Sequence, residues 1–75
     1  MKYAVISNIN GAFNIESEWT DNKQGAFVSF HDKCKIYWNA PDVEKGIVEV
    51  VDENLDVVEG KIERIEHATE PNVEE

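Results

Sequence analysis

The chain has 75 residues, a hydrophobic content of 41%, a single cysteine and a formal net charge of −9. This length allows one domain with a small core, the lone cysteine excludes an internal disulfide, and the apolar runs are far too short to span a membrane. Surplus negative charge repels phosphate backbones and anionic lipids and nothing at the N-terminus resembles a signal peptide, so we expect a cytoplasmic protein that binds neither nucleic acid nor membrane directly.

The first predicted element is a β-hairpin around Asn10-Gly11, because a type I′ turn needs positive φ at both central residues. A two-residue loop sets the register, so that Ile6 pairs with Ile15 and, further along, Lys2 with Trp19. The alternation predicts one core-like face, consisting of Ala4, Ile6, Phe13, Ile15 and Trp19. The opposite face carries Tyr3, Val5, Ser7, Asn14, Glu16 and Glu18.

A helix is predicted next, from about Asn22 to about Asn39. Asp21 is a favourable N-cap, and Gln24 three residues later completes a capping-box pattern. Pro41 ends the helix, because proline disfavours helical geometry in the residue before it. The apolar residues recur at helical spacing and form one stripe, namely Ala26, Phe27, Phe30, Cys34, Tyr37 and Trp38. A strand over residues 27–38 is the alternative, but the sequence favours the helix because residues 31–33 interrupt the alternation while the helical stripe continues.

A second hairpin is predicted in the acidic half of the chain. Residues 40–75 carry twelve acids against three basic residues, whereas residues 1–39 are balanced. The β-branched run 47–51, turn residues 52–54 and the run 55–58 predict two strands, with a bulge at Gly60. Residues 60–67 fit either a strand or a helical turn. Residues 68–75 offer little to bury, so we expect one domain over residues 1–67 and a disordered acidic tail.

Together these elements predict an α+β domain of order ββαββ, with a four-stranded, mostly antiparallel sheet and one helix on one face. The other face then meets water or a partner. If Val48 and Val50 point to the helix, the uncovered face carries the apolar residues Tyr3, Val5, Ile47 and Val51. Acids rim this group, as in the core and rim of an interface. The alternative is a set of scattered surface hydrophobes, which are normal.

Few residues suggest chemistry. His31 and Cys34 lie three apart on the helix and could form a nucleophile pair or half a metal site, but a thiol in an apolar stripe is usually inert. The acids Asp52, Glu53, Asp56 and Glu59 lack the ligand spacing of a calcium loop. No phosphate loop, nucleophile elbow or zinc signature occurs. We therefore expect no cofactor, no metal and no enzymatic activity.

The start Met-Lys-Tyr-Ala-Val, the Asn-Gly turn and the acidic C-terminal segment resemble those of the small acidic accessory proteins of tailed phages and prophages. The resemblance implies a protein that binds, and in some cases inhibits, a host macromolecule. The leading hypothesis is a protein-binding domain that contacts a basic protein surface through Tyr3, Val5, Ile47, Val51, Asp52, Glu53, Asp56 and Glu59. The alternatives are a nucleic-acid mimic occupying a basic groove and a homodimeric accessory domain.

Overall fold

The computed structural model describes residues 1–67, which form a four-stranded antiparallel sheet and one helix. The elements are β1 (Tyr3–Ile9), β2 (Ala12–Ile15), α1 (Lys23–Trp38), β3 (Lys45–Asp52) and β4 (Val57–Glu66). The sheet order is β2-β1-β3-β4, with every neighbouring pair antiparallel. The predicted α+β class and ββαββ order are confirmed. The predicted acidic tail, residues 68–75, lies outside the described residues.

The first hairpin turns where the sequence predicts. Asn10 and Gly11 have φ values of 53° and 88°, and Ile6 lies opposite Ile15 as expected. Beyond Ile15 the predicted register is wrong, because the backbone N–H groups of both Glu16 and Ser17 donate to the carbonyl of Val5. This irregularity shifts the chain, so Tyr3 bridges to Thr20 and Lys2 does not pair with Trp19.

The helix begins one residue later than the predicted cap requires. Asn22, not Asp21, is the N-cap, and its side-chain oxygen accepts a hydrogen bond from the Gly25 N–H at 2.9 Å. The backbone N–H of Asn22 donates to the Thr20 hydroxyl at 3.0 Å. Asp and Asn are both favourable N-cap residues. The hydrogen bond to Thr20 holds the backbone of Asn22, which is the one that caps this helix. At the other end Asn39 is the C-cap, as predicted within one residue.

The core lies between α1 and one face of β1, β3 and β4. Its buried members are Val5, Ala26, Phe30, Cys34, Val43, Val48, Val50 and Ile65, with Tyr3, Ile9, Phe27 and Tyr37 among the half-buried residues around them. Since side chains alternate along a strand, the odd-numbered residues of β1 face the helix and the even-numbered ones face away. The predicted assignment of the two hairpin faces is therefore reversed.

The reversal follows from strand pairing. β3 pairs with β1, and it sets Val5 opposite Val50 and Ile6 opposite Glu49. The face that includes Val5 therefore sets valines of the two central strands side by side, whereas the face that includes Ile6 sets Ile6 beside the carboxylate of Glu49. The helix covers the face of Val5 and Val50.

The second hairpin has a longer loop and a less regular strand than expected. Leu55 adopts a φ of 66° in the loop, and β4 begins only at Val57. Glu49 pairs with Ile62 while Val51 pairs with Val57, so β4 holds three more residues than β3 between these pairs. Gly60, at a φ of 79°, lies in this irregular stretch, in agreement with the predicted bulge. Residues 61–66 are strand, which excludes the helical-turn alternative.

His67 ties the end of β4 to the segment that follows the helix. Its Nδ1 lies 2.6 Å from the carbonyl oxygen of Val43, and its Nε2 lies 2.9 Å from that of Trp38. Two carbonyl acceptors are satisfied together only when both ring nitrogens carry protons. Both hydrogen bonds raise the pKa of His67 above its ordinary value, and the one to Val43 contributes more than the one to Trp38.

We expect this tie to weaken as pH rises. The folded-state pKa of His67 is raised, so protonated His67 stabilises the folded protein. This stabilisation is complete below the unfolded-state pKa of His67 and is lost as pH rises through its folded-state pKa. The Tm of the wild-type protein should therefore fall across that interval, and the Tm of His67→Gln should not. An NMR titration giving a His67 pKa at or below its ordinary value would contradict the assignment.

Candidate protein-binding face

The sheet face turned away from the helix is mostly apolar, and we refer to it as the open face. By register and alternation it includes Ala4, Ile6, Asn8, Phe13, Ile15, Lys45, Ile47, Glu49, Val51, Val57, Ile62, Arg64 and Glu66. The polar members are Asn8, Lys45, Glu49, Arg64 and Glu66. Exposed apolar side chains grouped on one face of a small domain mark an interaction site more often than scattered hydrophobes do.

Exposure differs strongly across the open face. Phe13 and Ile15 on the outer strand β2 are 62% and 65% exposed, and Val57 and Ile62 on the other outer strand are each 41% exposed. Ala4 and Val51, which pair with each other on the central strands, are buried. The available apolar surface therefore lies mainly toward the two outer strands.

The structure separates the four apolar residues predicted for this face. Ile47 and Val51 lie on the open face, Ile47 half-buried and Val51 buried. Val5 is fully buried under the helix, and Tyr3 packs against the same core. The prediction that Tyr3 and Val5 lie on the uncovered face is therefore wrong.

The residues that contribute most of the exposed apolar surface were not predicted to form a binding face. Ile6, Phe13 and Ile15 were correctly grouped on one face by the hairpin register, but that face was assigned to the core. Ile62 was not assigned, because a helical turn and a strand were both left open for its segment. Its signal was the alternation of Ile62 with the charged residues on either side.

The four predicted acidic residues lie around the β3–β4 loop at one end of the sheet. Asp52 organises this loop, since its carboxylate accepts the backbone N–H groups of Asn54 and Asp56 at 2.8 and 3.1 Å. Glu53 accepts the backbone N–H of Lys2 at 2.8 Å. Glu53, Asp56 and Glu59 are exposed. This end therefore presents negative charge beside the apolar surface of Val57.

Basic residues border the opposite end of the open face. Lys45 and Arg64 line a shallow depression of about 250 Å³, together with Asn8, Gly11, Gly46 and Ile47. The depression is open to solvent and would bury little of a small molecule's surface. We therefore treat the depression as part of the open face and not as a separate ligand site.

A carboxylate that is largely shielded from solvent lies on the helix side of the sheet. Glu16 accepts hydrogen bonds from the hydroxyls of Ser7 and Tyr37, each at 2.5 Å, and Lys33 lies 3.6 Å from its other oxygen. Burial acts to raise the pKa of Glu16, but these hydrogen bonds and the Lys33 charge outweigh it and hold the pKa below its ordinary value. Ser7 is only 2% exposed, so a substrate could not reach its hydroxyl. The cluster joins helix to sheet.

The Cys34 thiol is buried in the core. Burial, and then the negative charge of Glu63, raises its pKa to about 11, so the thiol is protonated at neutral pH. His31 is exposed and its ring packs edge-on against Phe30, with 5.1 Å between ring centroids. The arrangement gives the pair no means of forming a thiolate nucleophile.

Over residues 1–67, no three His, Cys, Asp or Glu side chains are grouped so that they could hold a metal ion. In the same part of the chain, no helix is both long and apolar enough to cross a membrane. No family model matches the sequence, and neither a curated protein nor a solved structure is similar to it at a significant level.

Proposed function

We propose that this chain is a small acidic binding protein without enzymatic activity, whose open face docks on another protein. The observation that carries the proposal is the exposed apolar surface of the open face. Phe13 and Ile15 are more than half exposed on one outer strand, and Ile62 is 41% exposed on the other. Apolar surface removed from water contributes roughly 25 cal/mol per Å², which supports burial of this face against a partner.

The dimensions of the face suit a small interface. Four strands about 4.8 Å apart, with about seven residues each at roughly 3.4 Å, cover roughly 20 Å by 24 Å. Side chains that project from the sheet enlarge the accessible area beyond this footprint. The resulting interface lies toward the lower end of the standard range, which is roughly 600–1,000 Å² per partner.

The acidic end of the sheet favours a partner with basic residues beside its apolar patch. Glu53, Asp56 and Glu59 are exposed there, and like-charged surfaces are rejected while basic ones are attracted. The resemblance to phage accessory proteins extends the proposal to a host protein as the partner. The single cysteine and the lack of an internal disulfide support a cytoplasmic setting.

The test compares lysine substitutions of two exposed apolar residues, one on the open face and one on the helix. Ile62→Lys places a charge on the open face, and Val28→Lys, at a residue 60% exposed on the helix, serves as the control. Immobilised proteins are incubated with lysate and the retained proteins are quantified by mass spectrometry. We expect a specific protein retained equally by wild type and Val28→Lys and reduced at least about tenfold by Ile62→Lys, because a lysine buried in an apolar interface is unpaired.

Charge reversal at the acidic end tests the second part of the proposal. With the captured partner, Asp56→Lys together with Glu59→Lys should reduce the association rate more than it raises the dissociation rate.

In the lysate experiment, equal retention of the partner by Ile62→Lys and wild type would contradict binding through the open face. A partner that binds nucleic acid at the same groove, with affinity falling steeply as salt rises, would instead favour the nucleic-acid mimic.

A further inference from the structure

The outer edge of β2 is free of charge in a strongly acidic protein. Residues 3–15, which form the whole first hairpin, contain no charged side chain, although the chain has a net charge of −9. All four residues of β2 are exposed. Natural proteins protect such an edge with a short strand, charges, proline or a bulge; β2 is short, with four residues, but has no charge, proline or bulge within them.

The opposite edge of the sheet is protected in these ways. β4 carries charged side chains at Glu59, Lys61, Glu63, Arg64 and Glu66. It also contains the irregular stretch around Gly60, which interrupts the regular ladder. The contrast between the two edges indicates that β2 is the edge available for pairing.

The backbone groups of β2 that point outward can be identified. The N–H and C=O groups of Tyr3 and Val5 bond toward the β2 side of β1, since they contact Thr20 and residues 16–17. By the alternation of an antiparallel ladder, Asn14 bonds inward to Ser7. Phe13 and Ile15 therefore direct their N–H and C=O groups away from the sheet, and their side chains lie on the open face.

We propose that β2 pairs antiparallel with β2 of a second copy of this chain, with Phe13 of each copy opposite Ile15 of the other. This register places a two-fold axis at Asn14 and uses all four outward-pointing backbone groups of each strand in hydrogen bonds. It joins two four-stranded sheets into one of eight strands. The open faces of both copies then lie on the same side, so the inference is separate from the question of which protein binds them.

Two features select a second copy over an unrelated strand. The register is self-complementary, because it pairs an aromatic residue with a β-branched one on the same face at both positions, Phe13 with Ile15 and Ile15 with Phe13. The uncharged hairpin also lets two molecules of equal negative charge approach where repulsion is smallest. Both arguments concern the edge of β2 and not the centre of the open face.

Two measurements on the wild-type protein test the inference directly. Sedimentation over about 10 to 500 µM, a range suited to a small interface, should give a mass that rises toward that of a dimer. Hydrogen exchange should slow at the Phe13 and Ile15 amides as concentration rises, while the amide of Ile62 is unaffected. A monomer throughout this range, or exchange at Phe13 and Ile15 that is independent of concentration, would overturn the inference.

Variants then locate the contact. Ile15→Pro removes an outward N–H and leaves the bonds to β1 in place, and Ile15→Lys adds a charge to the same edge. Each should raise the dimer dissociation constant at least about tenfold, which is about 1.4 kcal/mol. Ile62→Lys is the matched control at the protected edge and should leave dimerisation unchanged. Dimers that survive both Ile15 variants, or that are lost with Ile62→Lys, would show that another surface associates.

Discussion

Val5→Lys is expected to unfold this protein, whereas the same substitution at the next residue, Ile6→Lys, should leave it folded. Val5 is fully buried against the helix and lies opposite Val50 on the neighbouring strand. A charged group placed there without a partner destabilises by several kcal/mol. A domain of this size has a total stability of roughly 4–10 kcal/mol, so most of it would be lost.

Ile6 provides the matched control because it lies on the same strand with its side chain on the open face. It is half-buried, and its cross-strand neighbour is Glu49, which would attract a lysine at position 6. Circular dichroism and urea unfolding of both variants would measure the difference. If Ile6→Lys were as destabilising as Val5→Lys, the assignment of the two sheet faces would be wrong.

The second large effect is expected at Glu16. Its side chain is only 9% exposed and accepts hydrogen bonds from Ser7 and Tyr37 while lying near Lys33. Glu16→Ala leaves the buried Ser7 hydroxyl without this acceptor and removes the contact between helix and sheet. An unsatisfied buried group costs about 1–3 kcal/mol, and two groups lose their acceptor, so we expect a loss of about 3 kcal/mol in urea unfolding.

The Glu16 cluster also predicts a dependence on acid. Because the folded-state pKa of Glu16 is lowered, its stabilising effect is present above the unfolded-state pKa and is lost as pH falls through the folded-state pKa. Wild type should therefore lose more stability than Glu16→Gln as pH is lowered through this interval. Equal slopes for the two proteins would indicate that the carboxylate is solvated and unpaired.

Double substitutions show whether the cluster acts as a unit. Tyr37→Phe and Ser7→Ala each remove one donor to the same carboxylate. In the Glu16→Gln background their effects should be smaller than in wild type, because the charged acceptor is already lost. Full additivity would contradict the proposed coupling.

Local sequence determined the parts of this fold that depend on neighbouring residues. Asn10-Gly11 specified the position of the turn, because few residues tolerate positive φ. A two-residue turn then fixed the pairing of Ile6 with Ile15. The apolar stripe from Ala26 to Cys34 predicted the buried side of the helix, since its spacing is that of the helix itself. The strand over residues 47–51 was predicted from its β-branched composition.

Only the tertiary structure decided which side of the first hairpin is covered. Both faces of β1 are apolar, with Val5 on one and Ile6 on the other, so alternation could group residues without choosing between the groups. The choice depends on β3, far along the chain, which brings Val50 beside Val5 and Glu49 beside Ile6. Burying the face of Val5 and Val50 avoids desolvating Glu49, and this leaves Phe13, Ile15 and Ile62 exposed as the candidate binding surface.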